Sequence, residues 1–239
     1  MPKPLSLRRV WFTLAAPPVI FLLVIVAVSV YFGVLTAGDA EAIARETPAA
    51  LPVILVLVQL ALAWLLYLQT RADGLGWRGL GWPVPAGRSR TAVILMGAGA
   101  GAALGVIYSL WLSPWLSVLQ RTLGDYVPPD SLTPALGASL LPFFIANVLL
   151  APVVEELLYR GYALTQLRRR FGLAGAIVIS CLFFGLLHWA GGFWYILLTG
   201  LVAGGLFAGL YAWQGTLLAP FAAHLALNLV EFVFVALAR

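Results

Sequence analysis

The sequence predicts an all-α fold, a polytopic transmembrane helical bundle of about seven to eight spans. Three observations carry that prediction. Of 239 residues, 62% are hydrophobic and 10% are charged, against about 25% charged in a typical soluble domain. Seven stretches are apolar over the roughly 20 residues that a bilayer-crossing helix requires; they lie near 10–36, 50–70, 91–113, 135–158, 173–190, 193–213 and 216–237. The basic residues collect in alternate short connections, which orients a membrane protein. The net charge of +5 is therefore a topology signal, not a nucleic-acid footprint.

The first stretch follows Lys3, Arg8 and Arg9. Its apolar part exceeds the about 7–15 residues of a signal-peptide core, so it reads as a retained span. The second carries Gln59, placed to bond a neighbouring helix rather than a substrate. In the third, Gly97, Gly101 and Gly105 repeat the small-xxx-small spacing that lets helices approach closely. The fourth holds Pro142 and Pro152, each able to kink it. Its helical pattern continues through RGYALTQLRRR, longer than a bilayer is thick. The fifth contains Cys181, the single cysteine, which excludes an intrachain disulfide. Gly200–Gly204 and Gly205–Gly209 give the sixth the same packing spacing as the third.

Alternating spans put three basic regions on one, cytoplasmic side. These are the N-terminus, the 71–90 loop with Arg71, Arg78, Arg88 and Arg90, and the Arg168–Arg170 cluster. The opposite loops, 37–49 and 114–134, hold Asp39, Glu41, Glu46, Asp125 and Asp130. With seven spans the N-terminus is inside and the C-terminus outside; an eighth span, or a re-entrant segment at Trp115–Leu123, would move the C-terminus. No repeat or low-complexity linker divides the chain. The expected organisation is a set of N-terminal helices without a recognised motif (1–134) and a core that carries the unusual polar chemistry (135–239).

That chemistry is Glu155, Glu156 and Arg160 in APVVEELLYRG, Phe184 and His188 in FFGLLHW, and His224 with Asn228 in FAAHLALN. A charge near a bilayer centre costs roughly 3 kcal/mol on insertion scales, so such residues face a protein interior and act there. Adjacent helix positions point about 100° apart. Arg160 shares a face with Glu156 at i,i+4, which leaves Glu155 to face other helices. Taken singly, EExxxR can be a structural ion-pair cluster, His188 a packed histidine, and His224–Asn228, continued by Glu231, an interhelical contact. Together, a carboxylate, two imidazoles and a carboxamide on three helices are the parts of a hydrolytic site. Glutamate serves as general base, imidazole shares the water or donates to the leaving group, and Asn and His donors stabilise an oxyanion.

EELLYRG, FGLLH and HLALN match, in order, the EExxxR, FxxxH and HxxxN motifs, and the chain resembles the CAAX-protease and bacteriocin-processing family (CPBP, or Abi) of intramembrane proteases over roughly residues 138–232. The resemblance implies that Glu155 and His188 activate the attacking water, that His224 and Asn228 form the oxyanion hole, and that Glu156 and Arg160 support the site, with Phe184 in the second motif. Glu231 is an extra acid without a general family role. The resemblance implies an integral membrane endopeptidase acting on a membrane-associated or lipidated peptide or protein, with a prenylated CAAX protein as one such class. Short loops and compact size point to a prokaryotic plasma membrane.

Glu155, His188 and His224 would also make a His₂Glu zinc set. HExxH is absent, however, the donors come from three helices, and asparagine is a poor zinc ligand. No required metal is expected, with zinc as the alternative. Cys181 and His188 are about 10 Å apart along a helix axis, too far for a direct dyad. Rival readings are a non-proteolytic membrane scaffold or chaperone and a proton-coupled transporter using Glu155, Glu231 and the histidines; no inverted repeat supports the latter. One difficulty is depth. Simple topology puts His188 toward the outer face and Glu155 toward the cytoplasm, so they meet only if residues 150–167 are embedded and Arg168–Arg170 alone reach the surface.

Overall fold

The computed structural model describes residues 6–128 and 140–237, and all secondary structure among them is helical. Helices α1 (Leu7–Leu35), α3 (Leu51–Ala72), α4 (Arg90–Leu123), α5 (Leu140–Leu187), α6 (Phe193–Gln214) and α7 (Leu218–Leu237) are each long and apolar enough to cross a bilayer. A shorter α2 (Ala40–Ala49) joins α1 to α3. The protein is an integral, multi-pass membrane protein.

The expected count of seven to eight spans differs from the six stretches that qualify among the described residues. The fourth and fifth predicted spans merge into α5, a run of 48 residues. That run is broken at Gly172, where φ is 69° and ψ is −179°. A positive φ is cheap only for glycine, and here it reverses the chain. The two arms of α5 then lie against each other: Tyr159 Oη donates to the Phe183 carbonyl at 3.3 Å and Ser180 Oγ to the Tyr159 carbonyl at 3.3 Å. Glu155 lies 17 residues before Gly172 and His188 lies 16 after it. The hairpin therefore brings both to one level.

The two predicted acidic loops also differ from expectation. Within 37–49 the chain forms α2, whose first turn is capped by Asp39: its Oδ1 accepts from the Glu41 and Ala42 N–H groups at 2.9 and 3.2 Å. Within 114–134 the chain stays helical to Leu123, because α4 continues through a wide π turn at Tyr108–Leu112. The segment considered re-entrant, Trp115–Leu123, is part of that helix. Asp130 and the start of the fourth predicted span, 135–139, lie outside the described residues.

Close packing is set by small residues. A Cβ on Gly97 or Gly101 would run into the backbone carbonyls of Ala219 and Ala223, and one on Gly105 would come within 2.8 Å of Val230 Cβ. Helices α4 and α7 thus touch backbone to backbone. Gly200 does the same against the second arm of α5, where a Cβ would stand 2.7 Å from the Cys181 carbonyl, and Gly204 sits against the Phe184 ring. Gly205 and Gly209 behave differently from expectation, since nothing lies within 4 Å of a Cβ built on either. The spacing recurs there, but that face meets no other helix.

Polar contacts gather at the two ends of the bundle. At one end Asp73, at the close of α3, accepts from Arg9 at 2.5 Å and from Tyr162 Oη at 2.7 Å. The 73–89 connection also reaches the α6–α7 turn, where Leu217 N–H donates to the Gly81 carbonyl at 2.8 Å. Arg168, Arg169 and Arg170 are exposed, whereas Val154 to Leu164 are buried without interruption. At the other end Asp125, just past α4, accepts from the Phe193 N–H at 2.8 Å and the Trp194 N–H at 3.4 Å. It caps the start of α6 and clasps the turn that follows His188.

Candidate active site

Each EExxxR residue is placed by the first arm of α5: Glu155 and Glu156 lie between two wide π segments, Phe144–Leu150 and Leu157–Leu164, and Arg160 lies within the second. The divergence of adjacent helix positions gives the two glutamates different surroundings. Glu156 is 1% exposed and faces inward. Its Oε1 accepts from Arg160 Nη1 at 2.9 Å and from His224 Nδ1 at 2.9 Å. Arg160 is fully buried; its Nη2 donates to the Gly204 carbonyl at 3.0 Å and its guanidinium lies 4.4 Å from the Phe184 ring centroid. The i,i+4 pair read from the sequence is present. It is a knot joining α5, α6 and α7, with a cation–π face supplied by Phe184.

Glu155 turns away from that knot. It is 3% exposed, and its Oε1 accepts from Gln59 Nε2 of α3 at 2.8 Å. Its Oε2 has no partner. His188 ends the second arm of α5, with Nδ1 at 2.8 Å from the Phe184 carbonyl. A carbonyl only accepts, so Nδ1 carries the hydrogen and Nε2 keeps its lone pair. The same reasoning applies to His224: Nδ1 donates to Glu156, and the ring stacks on Phe207 with centroids 4.6 Å apart. Asn228 Nδ2 donates to the Asn147 carbonyl at 2.7 Å, using one of its two hydrogens.

These groups converge on a cavity of about 90 Å³ lined by Glu155, Phe184, His188, His224, Asn228 and Glu231. Glu156 and Arg160 stand behind it. A second, larger cavity of about 550 Å³ adjoins the first, and Glu155, His188 and Glu231 line both. The larger one is walled by apolar side chains of α1, α3 and α7, with Gln59 among them. Such a pair, a narrow polar pocket opening on a wide apolar one, suits a reaction centre beside a site for an apolar ligand. Among the described residues, no group of three His, Cys, Asp or Glu side chains converges closely enough to hold a metal ion. Cys181 is buried and does not line either cavity.

Sequence reasoning did not single out Tyr108 and Tyr195, which line both cavities. A tyrosine in an apolar helix gives no signal by spacing. Gln59 was legible as an interhelical contact, and its isolation in the middle of α3 was the available clue.

Residues 137–230 match a protein-family model described as Rce1-like, the type II CAAX prenyl endopeptidase Rce1-like family. No curated protein and no solved structure matches the chain. The match supports a protease, and it spans all three motifs. The matched residues carry Glu155, His188, His224 and Asn228, and the chain is similar over 137–230 to the CAAX prenyl endopeptidases that the model describes.

Proposed function

We propose that this protein is an intramembrane endopeptidase that hydrolyses a peptide bond in a membrane-associated or lipidated substrate, a prenylated peptide or protein in first place. The observation that carries the reading is the pairing of Glu155 and His188 at one level of the α5 hairpin, facing one cavity. Each keeps a free lone-pair atom there, Glu155 Oε2 and His188 Nε2. A water held by both loses a proton to Glu155 as its oxygen attacks the substrate carbonyl carbon. The developing oxyanion takes hydrogen bonds from His224 and the second Asn228 N–H. The C–N bond then breaks, and the leaving amine takes the proton from Glu155.

The hydrogen bonds add one condition. His224 donates through Nε2 only when both ring nitrogens are protonated, because Nδ1 already donates to Glu156. Glu156 is then the counter-ion that His224 shares with Arg160. The mechanism needs no metal. The family match implies a membrane-bound substrate, and the apolar walls of the large cavity suit a lipid chain. In this reading each arm of α5 makes a crossing, seven in all, with the N-terminus and the Gly172 turn in the cytoplasm of a prokaryotic cell.

The test is cleavage of a farnesylated tetrapeptide by the purified protein in liposomes, read by mass spectrometry. Wild type is expected to cut it, and Glu155→Gln to lose about 10²–10⁴-fold, the usual range for a general base. An intact peptide with wild type, together with proton flux across the liposome, would favour the transporter reading.

A further inference from the structure

We infer that Gln59 is a positioning residue of this active site, supplied by a helix outside the family-matching segment, and that it fixes which oxygen of Glu155 takes the proton from water. The inference rests on the protease reading and extends it to the first half of the chain. Gln59 sits in the middle of α3, 4% exposed, with its Nε2 at 2.8 Å from Glu155 Oε1. The residues that match the family begin at 137, so this contact joins two parts of the chain 96 positions apart.

The orientation of the amide follows from the chemistry. An ionised carboxylate only accepts, so the Gln59 NH₂ and not its oxygen must face Glu155. That bond occupies Oε1 and leaves Oε2 without a partner. Gln59 Oε1 is also buried without a partner. Buried polar atoms are nearly always hydrogen-bonded, so unpaired ones call for an explanation. Both side chains line the larger cavity. Water in that cavity explains both: one water meets Glu155 Oε2, and a neighbouring water donates to Gln59 Oε1. Without Gln59, the carboxylate swings between its two oxygens and loses orientation, which an attack geometry does not tolerate.

The test uses full-length protein in liposomes with a farnesylated tetrapeptide as probe. Gln59→Met keeps the shape and removes the donor; Gln59→Leu is the second variant should the first fold poorly. The expected result is a kcat lower by about tenfold, the scale of one hydrogen bond to a charged group, with KM kept within about twofold. In a Glu155→Asp background, whose shorter side chain withdraws from Gln59, adding Gln59→Met should change little, because coupled residues are non-additive. Difference infrared spectra give a readout apart from activity. The carboxyl band that vanishes in Glu155→Gln should shift in Gln59→Met. An unmoved band, or an equal loss of kcat in both backgrounds, overturns the role. A moved band in a protein that cleaves nothing upholds the hold on Glu155 and overturns the protease reading alone.

Discussion

At the scale of single residues, two neighbouring glutamates carry different loads. Glu156 neutralises a buried arginine and orients a histidine; Glu155 keeps one oxygen free. Breaking a buried ion pair from one side leaves a stranded charge and costs about 3–5 kcal/mol. Glu156→Gln is therefore expected to lower thermal stability and yield sharply, and Glu155→Gln to leave the melting temperature near wild type while abolishing cleavage. Melting of both variants in detergent checks this, and the reverse order of stabilities would contradict it. Chelation offers a second check at this scale. If Glu155 and His188 share the water as proposed, exhaustive chelation is expected to leave activity unchanged. Loss restored by zinc would make Glu155 and the histidines ligands instead.

The helices show which features of a sequence survive folding. The i,i+4 geometry of Glu156 and Arg160 was readable because it is local. The meeting of Glu155 and His188 was expected only from the motif resemblance, because it depends on a reversal at Gly172, and neither glycine of RRRFGLAG carries a distinctive turn signature. The glycine spacing of α4 correctly announced a close helix contact, whereas Gly205 and Gly209 carry the same spacing on a face that meets nothing, since spacing alone does not say which face is covered. Gly101→Val is accordingly expected to cost at least the 1–3 kcal/mol typical of overpacking, with Gly205→Ala neutral or slightly stabilising, as read by melting temperature. The Asp125 clasp makes a further prediction. Burial alone pushes its carboxyl up, but hydrogen bonds from the Phe193, Tyr126 and Trp194 N–H groups and Gln120 outweigh that and hold its pKa below the ordinary value. A carboxyl with a lowered folded pKa contributes stability that is fully present above the unfolded value of about 3.9, and that is lost as pH falls through the folded value. Hydrogen exchange of amides 189–194 should therefore quicken, relative to its intrinsic rate, on acidification through that window. Asp125→Asn should exchange faster at neutral pH and lose this dependence.

In the whole molecule, a motif-bearing half packs against a half without motifs. The first half supplies the α4 surface that α7 packs on, the wall of the large cavity and Gln59; none of this was visible in its composition beyond the glycines and one buried amide. The uninterrupted burial from Val154 to Leu164 and the exposure of Arg168–Arg170 set the expected labelling pattern. In a Cys181→Ala background, cysteines at 158 and 162 should resist a membrane-impermeant reagent, and one at 169 should react from the cytoplasmic side. Free labelling at 158 and 162 would contradict an embedded site. The central claim is that Glu155 and His188, from opposite arms of one hairpin, activate the same water. The most direct measurement is kcat/KM on the farnesylated tetrapeptide for Glu155→Gln, His188→Gln and the double variant. Residues that act as one unit are grossly non-additive, so each single variant should fall at least about 10²-fold and the double should fall no further. Near-wild-type turnover in either single variant, or losses that multiply in the double, would contradict the claim.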